Sequence, residues 1–233
     1  MRVLFLGTGS GSSRDSRRFK AGVHVSNGYD SVFLDMGPGS NLRVEDFHVH
    51  GDHVFFTHLH IDHFDGVFDY MVSRKVQGLK DLYVHSPPGF GHVLSSFREV
   101  GNQVSANVEE LDLPRAKVGE LEVYSVEACH AIYAVSYVIT DGRKKIVYTG
   151  DTAEPCEDVV KEIRDANLVI HEASCVDNCK QFGHTSAKEI MSMFSDIKAK
   201  MILTHIPAHS EKEIYEAIGN KFLIARDGTI FEL

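Results

Sequence analysis

Thr57-His58-Leu59-His60-Ile61-Asp62-His63 decides how this chain is read. It sets three imidazoles and a carboxylate within the six positions from His58 to His63. Neutral imidazole and carboxylate oxygen hold zinc and similar borderline cations, so four such groups this close can serve two metals. The residues just before them, His53-Val54-Phe55-Phe56-Thr57, form a β-branched and aromatic run suited to a buried strand, which puts His58 at the strand's end. His58 and His60, two apart in extended chain, then point to the same side. Asp62-His63-Phe64-Asp65-Gly66 reads as a turn into a helix starting near Val67, and such a turn swings Asp62 and His63 towards a second metal. The competing reading is a histidine-rich surface loop in a chain with 14 histidines, and it must also account for what lies downstream.

Downstream, polar residues repeatedly follow apolar runs. Ala128-Cys129-His130 follows Leu121 to Val126, Thr149-Gly150-Asp151-Thr152 follows Lys145 to Tyr148, and Leu203-Thr204-His205 follows Lys200 to Ile202. Side chains at one end of neighbouring strands converge, which is how a sheet builds a site from residues distant in sequence. The candidate ligands are therefore His58, His60, Asp62, His63, His130, Asp151 and His205. Two cations about 3.5 to 4 Å apart lower the pKa of a shared water and stabilise both oxygens of an in-line displacement, so the pattern points to hydrolysis. Asp62 is placed to bind a metal and also orient the hydroxide.

In this order, the His-x-His-x-Asp-His block, the lone His130, the Gly-Asp-Thr around Asp151 and the Thr-His ending at His205 resemble the metallo-β-lactamase superfamily of metal-dependent hydrolases. The likeness runs from Leu4-Phe5-Leu6-Gly7-Thr8-Gly9 through Asp35-Met36-Gly37-Pro38-Gly39 to His205. It implies an α/β (α+β) fold, the αββα sandwich, with a two-metal site at one edge. By matching position it implies His58, His60 and His130 on one metal, Asp62, His63 and His205 on the other, and Asp151 bridging them. Zinc suits these ligands, and manganese or iron is also accepted by such a set. A diiron redox enzyme of the same fold is a separate class, but the familiar ones carry Glu where this chain has His60.

His171-Glu172-Ala173-Ser174 and Gly183-His184-Thr185-Ser186-Ala187 resemble motifs of the tRNase Z-like branch, whose members cleave phosphodiesters. The resemblance implies that His184 faces the phosphate, stabilising charge or protonating the leaving group, and that Glu172 helps to orient a histidine. Asp62, His184 and Glu172 are thus the candidate catalytic residues. Thr185-Ser186-Ala187-Lys188-Glu189 also reads as a capped helix start, and a capped helix is a good mount for His184. The chain departs from tRNase Z in having only 21 positions between His130 and Asp151, room for two strands and the Asp141-Gly142 turn but not for a tRNA-gripping arm. The short gap resembles the cyclic phosphodiesterases of the same branch, although no cysteine precedes Cys129 to form their N-terminal structural zinc cluster. A phosphodiesterase for a small or cyclic substrate is expected, with a tRNA 3′-end endonuclease, or a thioesterase, lactonase or β-lactamase-like hydrolase, as the alternatives. Armless relatives commonly pair, so the resemblance also implies a possible homodimer.

With 33 acidic and 24 basic residues the formal charge is -9, which opposes non-specific binding to a polyanion and makes RNA a less favoured substrate than a small phosphodiester. At 233 residues the chain reads as a single hydrolase domain, residues 1–233. The apolar start ends at Gly7, too short for export or membrane insertion, so a cytoplasmic protein is expected. Reduced thiols are expected at Cys129, Cys156, Cys175 and Cys179, with the last two pairing, binding metal or lining a loop. Gly7-Thr8-Gly9-Ser10-Gly11-Ser12 lacks the last glycine of a dinucleotide fingerprint and reads as a loop beside the metal site. Arg14, Arg17 or Arg18 could reach an anionic substrate from that loop, or form a solvated basic turn. Strands in runs with helices between them fit two sheets packed between helical layers.

Overall fold

The computed structural model describes residues 1–11 and 16–233. The first half of the chain runs β1 (Arg2–Gly7), β2 (Gly22–Ser26), β3 (Ser31–Leu34), α1 (Ser40–Asp46), β4 (His53–Phe55), α2 (Ile61–Phe64), α3 (Gly66–Val76), β5 (Leu82–Ser86), α4 (Phe90–Glu99) and β6 (Ala106–Glu110). The second half runs β7 (Ala116–Val118), β8 (Leu121–Glu127), β9 (Val135–Thr140), β10 (Lys145–Tyr148), α5 (Glu157–Arg164), β11 (Leu168–Glu172), α6 (Ala187–Phe194), β12 (Lys200–Thr204), α7 (Glu211–Ile218), β13 (Leu223–Ile224) and β14 (Ile230–Glu232). Among the described residues these strands form two seven-stranded sheets, ordered β14-β1-β2-β3-β4-β5-β6 and β13-β12-β11-β10-β9-β8-β7. This is the expected αββα sandwich.

Successive strand residues face opposite ways, and here both ways are dry, which is why the central strands read as unbroken apolar runs. Val3, Phe5, Phe55, Tyr137, Ile146 and Ile170 fill the space between the sheets. Leu4, Leu6, Val54 and Phe56 face outwards under the α3 residues Val67 and Met71. On the other side Val147, Val169 and Leu203 pack beneath Val159 of α5, Ile190 of α6 and Ile214 of α7. α6 begins where the capping box was read: Ser186 accepts from the Glu189 backbone N–H, and the Glu189 side chain returns to the Ser186 N–H. Among the described residues no helix is long and apolar enough to cross a membrane.

β3 with β4 in one sheet, and β10 with β11 and β12 in the other, pair in parallel, so their C-terminal ends share one edge of the sandwich. Polar bonds join the sheets along that edge: the Tyr137 hydroxyl donates to Phe56 O at 2.8 Å, the Val135 N–H to Thr57 O at 2.9 Å and the Tyr148 hydroxyl to Asp35 Oδ2 at 2.8 Å. Gly150, at φ 55°, lets the sheets approach this closely, since a Cβ there would lie 2.7 Å from the Thr57 side chain.

Some elements differ from the sequence reading. Asp62 to Phe64 lie in the one-turn helix α2 rather than in a turn, with the acidic Asp62 in its first turn, where the helix dipole favours it. α1, β6, β7 and β13 were not expected. β6, Ala106-Asn107-Val108-Glu109-Glu110, lies at a sheet edge with exposed charged residues and lacks an apolar run. The cysteines are paired rather than reduced: Cys129 with Cys156, and Cys175 with Cys179. The first pair lies 27 residues apart in sequence but 5.7 Å apart between Cα atoms, because the loops after β8 and β10 meet where the Ala153 N–H donates to Cys129 O at 2.7 Å. Of the three readings open for Cys175 and Cys179, the structure takes pairing.

Candidate metal centre

All seven expected ligands converge at the shared strand ends. His60 Nδ1 lies 3.0 Å from His58 Nε2 and 3.1 Å from His130 Nε2, while Asp151 Oδ2 is 3.7 Å from His58 Nε2 and 4.0 Å from His130 Nε2. Beside this group, His205 Nε2 stands 3.3 Å from His63 Nε2, 3.2 Å from Asp62 Oδ2 and 3.4 Å from Asp151 Oδ1. Asp151 stands between the two groups: Oδ2 lies among His58, His130 and His63, 3.3 Å from His63 Nε2, and Oδ1 faces His205. Its position follows from Gly150, which turns the chain immediately after β10.

The far side of four of the five rings, those of His58, His63, His130 and His205, is held by the fold, which fixes the nitrogen presented to the centre. His63 Nδ1 donates to Asp35 Oδ2 at 2.8 Å, and His130 Nδ1 donates to Gly183 O at 2.7 Å. His58 Nδ1 lies 3.0 Å from Thr57 Oγ1, and His205 Nδ1 lies 2.8 Å from Ser174 Oγ. Asp35 and His205 both take left-handed backbone, at φ 56° and 57°, a conformation that strains residues other than glycine. Sequence reasoning missed Asp35, Thr57 and Ser174 as supports. Asp35 carried a usable signal, since it follows the apolar run Ser31 to Leu34 as the ligands follow theirs.

Electrostatics fit the cluster to cations. Burial pushes His58 well below its usual range, with His63 pushing the same way, and burial also lowers His60. Both rings are therefore neutral, the form that ligates. Burial alone would raise Asp62 and Asp151, yet the His205 hydrogen bond and His63 hold Asp62 low, and His205 and His63 hold Asp151 well below the carboxylate range. His63 is held well above its usual value, against burial, by Asp151 and Asp35 on either side, so the pocket calls for positive charge at that point. Asp151 Oδ1 is buried and accepts no hydrogen bond among the described residues. A desolvated carboxylate oxygen without a donor is costly unless a cation lies beside it, so the residues present fit two metals.

His184 stands at the rim, its side chain 21% exposed where that of Asp151 is 3% exposed. His184 Nδ1 lies 3.1 Å from both oxygens of Glu172 and 3.8 Å from Asp151 Oδ2. Burial would lower its pKa, but the hydrogen bond and charge of Glu172, with Asp151 behind, raise it to about 9. Glu172 also accepts from the Thr152 N–H at 2.8 Å and from the Ser174 hydroxyl, so it ties His184, His205 and the Asp151 turn together. Of the three arginines expected near an anionic substrate, Arg14 lies outside the described residues. Arg18 turns away from the centre: Nε and Nη2 bind Glu211 at 3.2 and 2.9 Å, and Nη1 donates to Thr8 Oγ1 and Ala225 O at 2.7 Å each.

Two sheets between helical layers, with this donor set at their common edge, define a metal-dependent hydrolase. The chain belongs to the β-lactamase superfamily domain family, whose model matches residues 32–206. It is 26% identical to a ribonuclease Z of Pyrococcus horikoshii, covering 97% of this chain and 94% of that protein. That alignment extends over 297 positions, more than the 233 residues of this chain, so the relative has residues without a counterpart here. Among solved structures, the short form of human tRNase Z (ELAC1) superposes with a TM-score of 0.82 at 20% identity, covering 100% of this chain and 99% of that one. A diphosphatase of the PhnP family superposes with a TM-score of 0.81 at 18% identity, covering 100% and 98%. Both likenesses are of fold.

Proposed function

We propose that residues 1–233 act as one hydrolase domain that cleaves a small phosphodiester with two divalent cations, zinc foremost. His58, His60 and His130 would hold one cation, Asp62, His63 and His205 the other, and Asp151 both. Bound there, the cations supply a water of lowered pKa and stabilise charge on the attacking and leaving oxygens.

The chain's own side chains do the rest. Among the described residues Asp62 Oδ2 accepts from the Gly11 N–H at 2.7 Å and lies 3.2 Å from His205 Nε2, and Oδ1 would accept from the attacking water. Asp35 keeps the His63 proton on Nδ1, and Gly183 O does the same for His130. With its Nδ1 held by Glu172, His184 presents Nε2 to the substrate, and its raised pKa keeps it protonated at neutral pH, ready to give that proton to the leaving oxygen. This Glu172-held histidine beside Asp151 is the observation that carries the phosphodiesterase reading. The small substrate is supported by the chain between His130 and Asp151, which is spent on β9, a turn and β10, with no room for an arm.

A second reading, tRNA 3′-end processing, is favoured by the resemblance to ribonuclease Z along nearly the whole chain. Steady-state assays of the zinc- and manganese-loaded protein on bis-p-nitrophenyl phosphate, cyclic nucleotides, cyclic ribose phosphates and a precursor tRNA with a 3′ trailer separate the two. Higher kcat/KM on a small phosphodiester is expected. Preferential cleavage of the precursor tRNA would instead establish the second reading, and turnover of a β-lactam alone would overturn both.

A further inference from the structure

Arg17, Arg18, Arg43 and Arg226 line a cavity of about 450 Å³ together with Glu211 and Asp227. Among the described residues, four guanidinium groups thus meet two carboxylates around one hollow, in a chain of formal charge -9. Both carboxylates are largely committed. Glu211 Oε1 is shared by Arg18 at 2.9 Å and Arg226 at 3.1 Å. Asp227 accepts from the Thr8 N–H at 2.9 Å, the Thr8 hydroxyl at 2.6 Å and the Phe19 N–H at 2.6 Å. Arg18 is spent on the fold, but the others keep donors in hand. Arg226 places one nitrogen on Glu211, Arg43 lies over the Phe19 ring and places one nitrogen on Asp46 at 3.0 Å, and Arg17 is exposed. A fork of five N–H donors is suited to phosphate oxygens; among the described residues Arg17 keeps its whole fork for a ligand, and Arg226 and Arg43 keep part of theirs.

The hollow and the metal centre are reached by the same stretches of chain. The Gly11 N–H donates to Asp62 Oδ2 at 2.7 Å beside the centre, and the Phe19 N–H donates to Asp227 Oδ2 at 2.6 Å beside the hollow. The segment after His205 leads through Ile206, whose N–H donates to Thr8 O at 2.8 Å, to Glu211. We propose that this arginine-lined cavity is a second anion site that binds a phosphate-type group. The group is either a second phosphate of the substrate or a free phosphate ion, and only the former source rests on the phosphodiesterase reading.

Calorimetric titration of inorganic pyrophosphate into the wild type, the Arg17→Gln/Arg226→Gln variant and the Asp151→Asn variant tests the site independently of turnover. Arg17 and Arg226 are exposed, and Arg43→Gln serves as a second variant should the pair fail to fold. Binding that survives Asp151→Asn, weakens about tenfold or more in the arginine variants and falls steeply with salt is expected. Pyrophosphate binding unchanged in both arginine variants, or abolished by Asp151→Asn alone, overturns the proposal. The source is read from KM. A rise at least tenfold larger for a phosphodiester bearing a second phosphate than for bis-p-nitrophenyl phosphate assigns the site to substrate. Equal changes, with binding intact, assign it to the free ion. Absence of phosphodiesterase activity removes the first source while leaving the binding result to stand.

Discussion

Replacing Asp35 by Asn removes one charge and inverts one hydrogen-bonding atom in a carboxylate that is fully buried. Oδ1 accepts from the Thr57 N–H at 2.8 Å and can keep that bond as an amide oxygen. Oδ2 accepts from His63 Nδ1 and from the Tyr148 hydroxyl, both at 2.8 Å, and an NH2 group there would face two donors. The imidazole can escape by moving its proton to Nε2, so that Nδ1 accepts from the amide. Nε2, the nitrogen 3.3 Å from His205 Nε2, then has no lone pair for a cation. Loss of such a support typically lowers metal affinity by about 10- to 100-fold. An unpaired buried donor adds a stability cost of about 1–3 kcal/mol. Metal content measured at buffered free zinc should show one site retained and the Asp62–His63–His205 site emptied at concentrations that fill the wild type. A variant with wild-type affinity at both sites would refute the tautomer argument, whatever its stability.

His184→Ala should retain both metals while kcat on phosphodiesters falls about 10²- to 10⁴-fold, the usual worth of a general acid; full activity would reduce His184 to packing at the start of α6. Because Glu172 raises His184 to about 9, activity that needs its proton should hold through neutral pH and fall as pH rises through that value, and Glu172→Gln should move the fall to lower pH. An unmoved alkaline limb in the pH–rate profile would assign it to another group. His24 is pushed from 6.5 to about 4, chiefly by burial, so between those values the unfolded chain takes up a proton that the folded one refuses. Stability from this source is complete above pH 6.5 and declines by about 3 kcal/mol as pH falls to 4. Denaturant melts of His24→Gln should show a shallower acid loss than the wild type, and identical slopes would contradict this.

His60, Asp62 and His63 were readable from their spacing beside His58, and the other four of the seven ligands because each follows an apolar run: His58 after Val54 to Phe56, His130 after Leu121 to Val126, Asp151 after Lys145 to Tyr148, His205 after Lys200 to Ile202. That pattern carries a position in the fold as well as a chemistry. β6 and β7 left no such mark, since edge strands exposed to water need no unbroken apolar run. Nor did the partners of the ligands, which are polar residues whose meaning depends on pairing across the sandwich. Ser174 reaches His205 over 31 positions and Tyr148 reaches Asp35 over 113, distances at which one sequence carries no pairing information. The same blindness covers Cys129 and Cys156, 27 positions apart, but not Cys175 and Cys179, whose pairing was one of the readings open in the sequence. Arg18 was singled out correctly as notable but for the wrong role, because Glu211, its partner, lies 193 positions away.

The bonds from Tyr148 to Asp35, Tyr137 to Phe56 and Val135 to Thr57 act as a clasp between the sheets, and they lie at the same edge as the ligands. Asp35 belongs to the clasp and to the centre at once, through Tyr148 and His63. A chelator should therefore loosen this mouth of the sandwich before the opposite one, since cations that bind only the closed form stabilise closure by mass action. Amide exchange would then quicken at Thr57 and Val135, while Val3 and Val25, away from the clasp in the paired strands β1 and β2, stay protected.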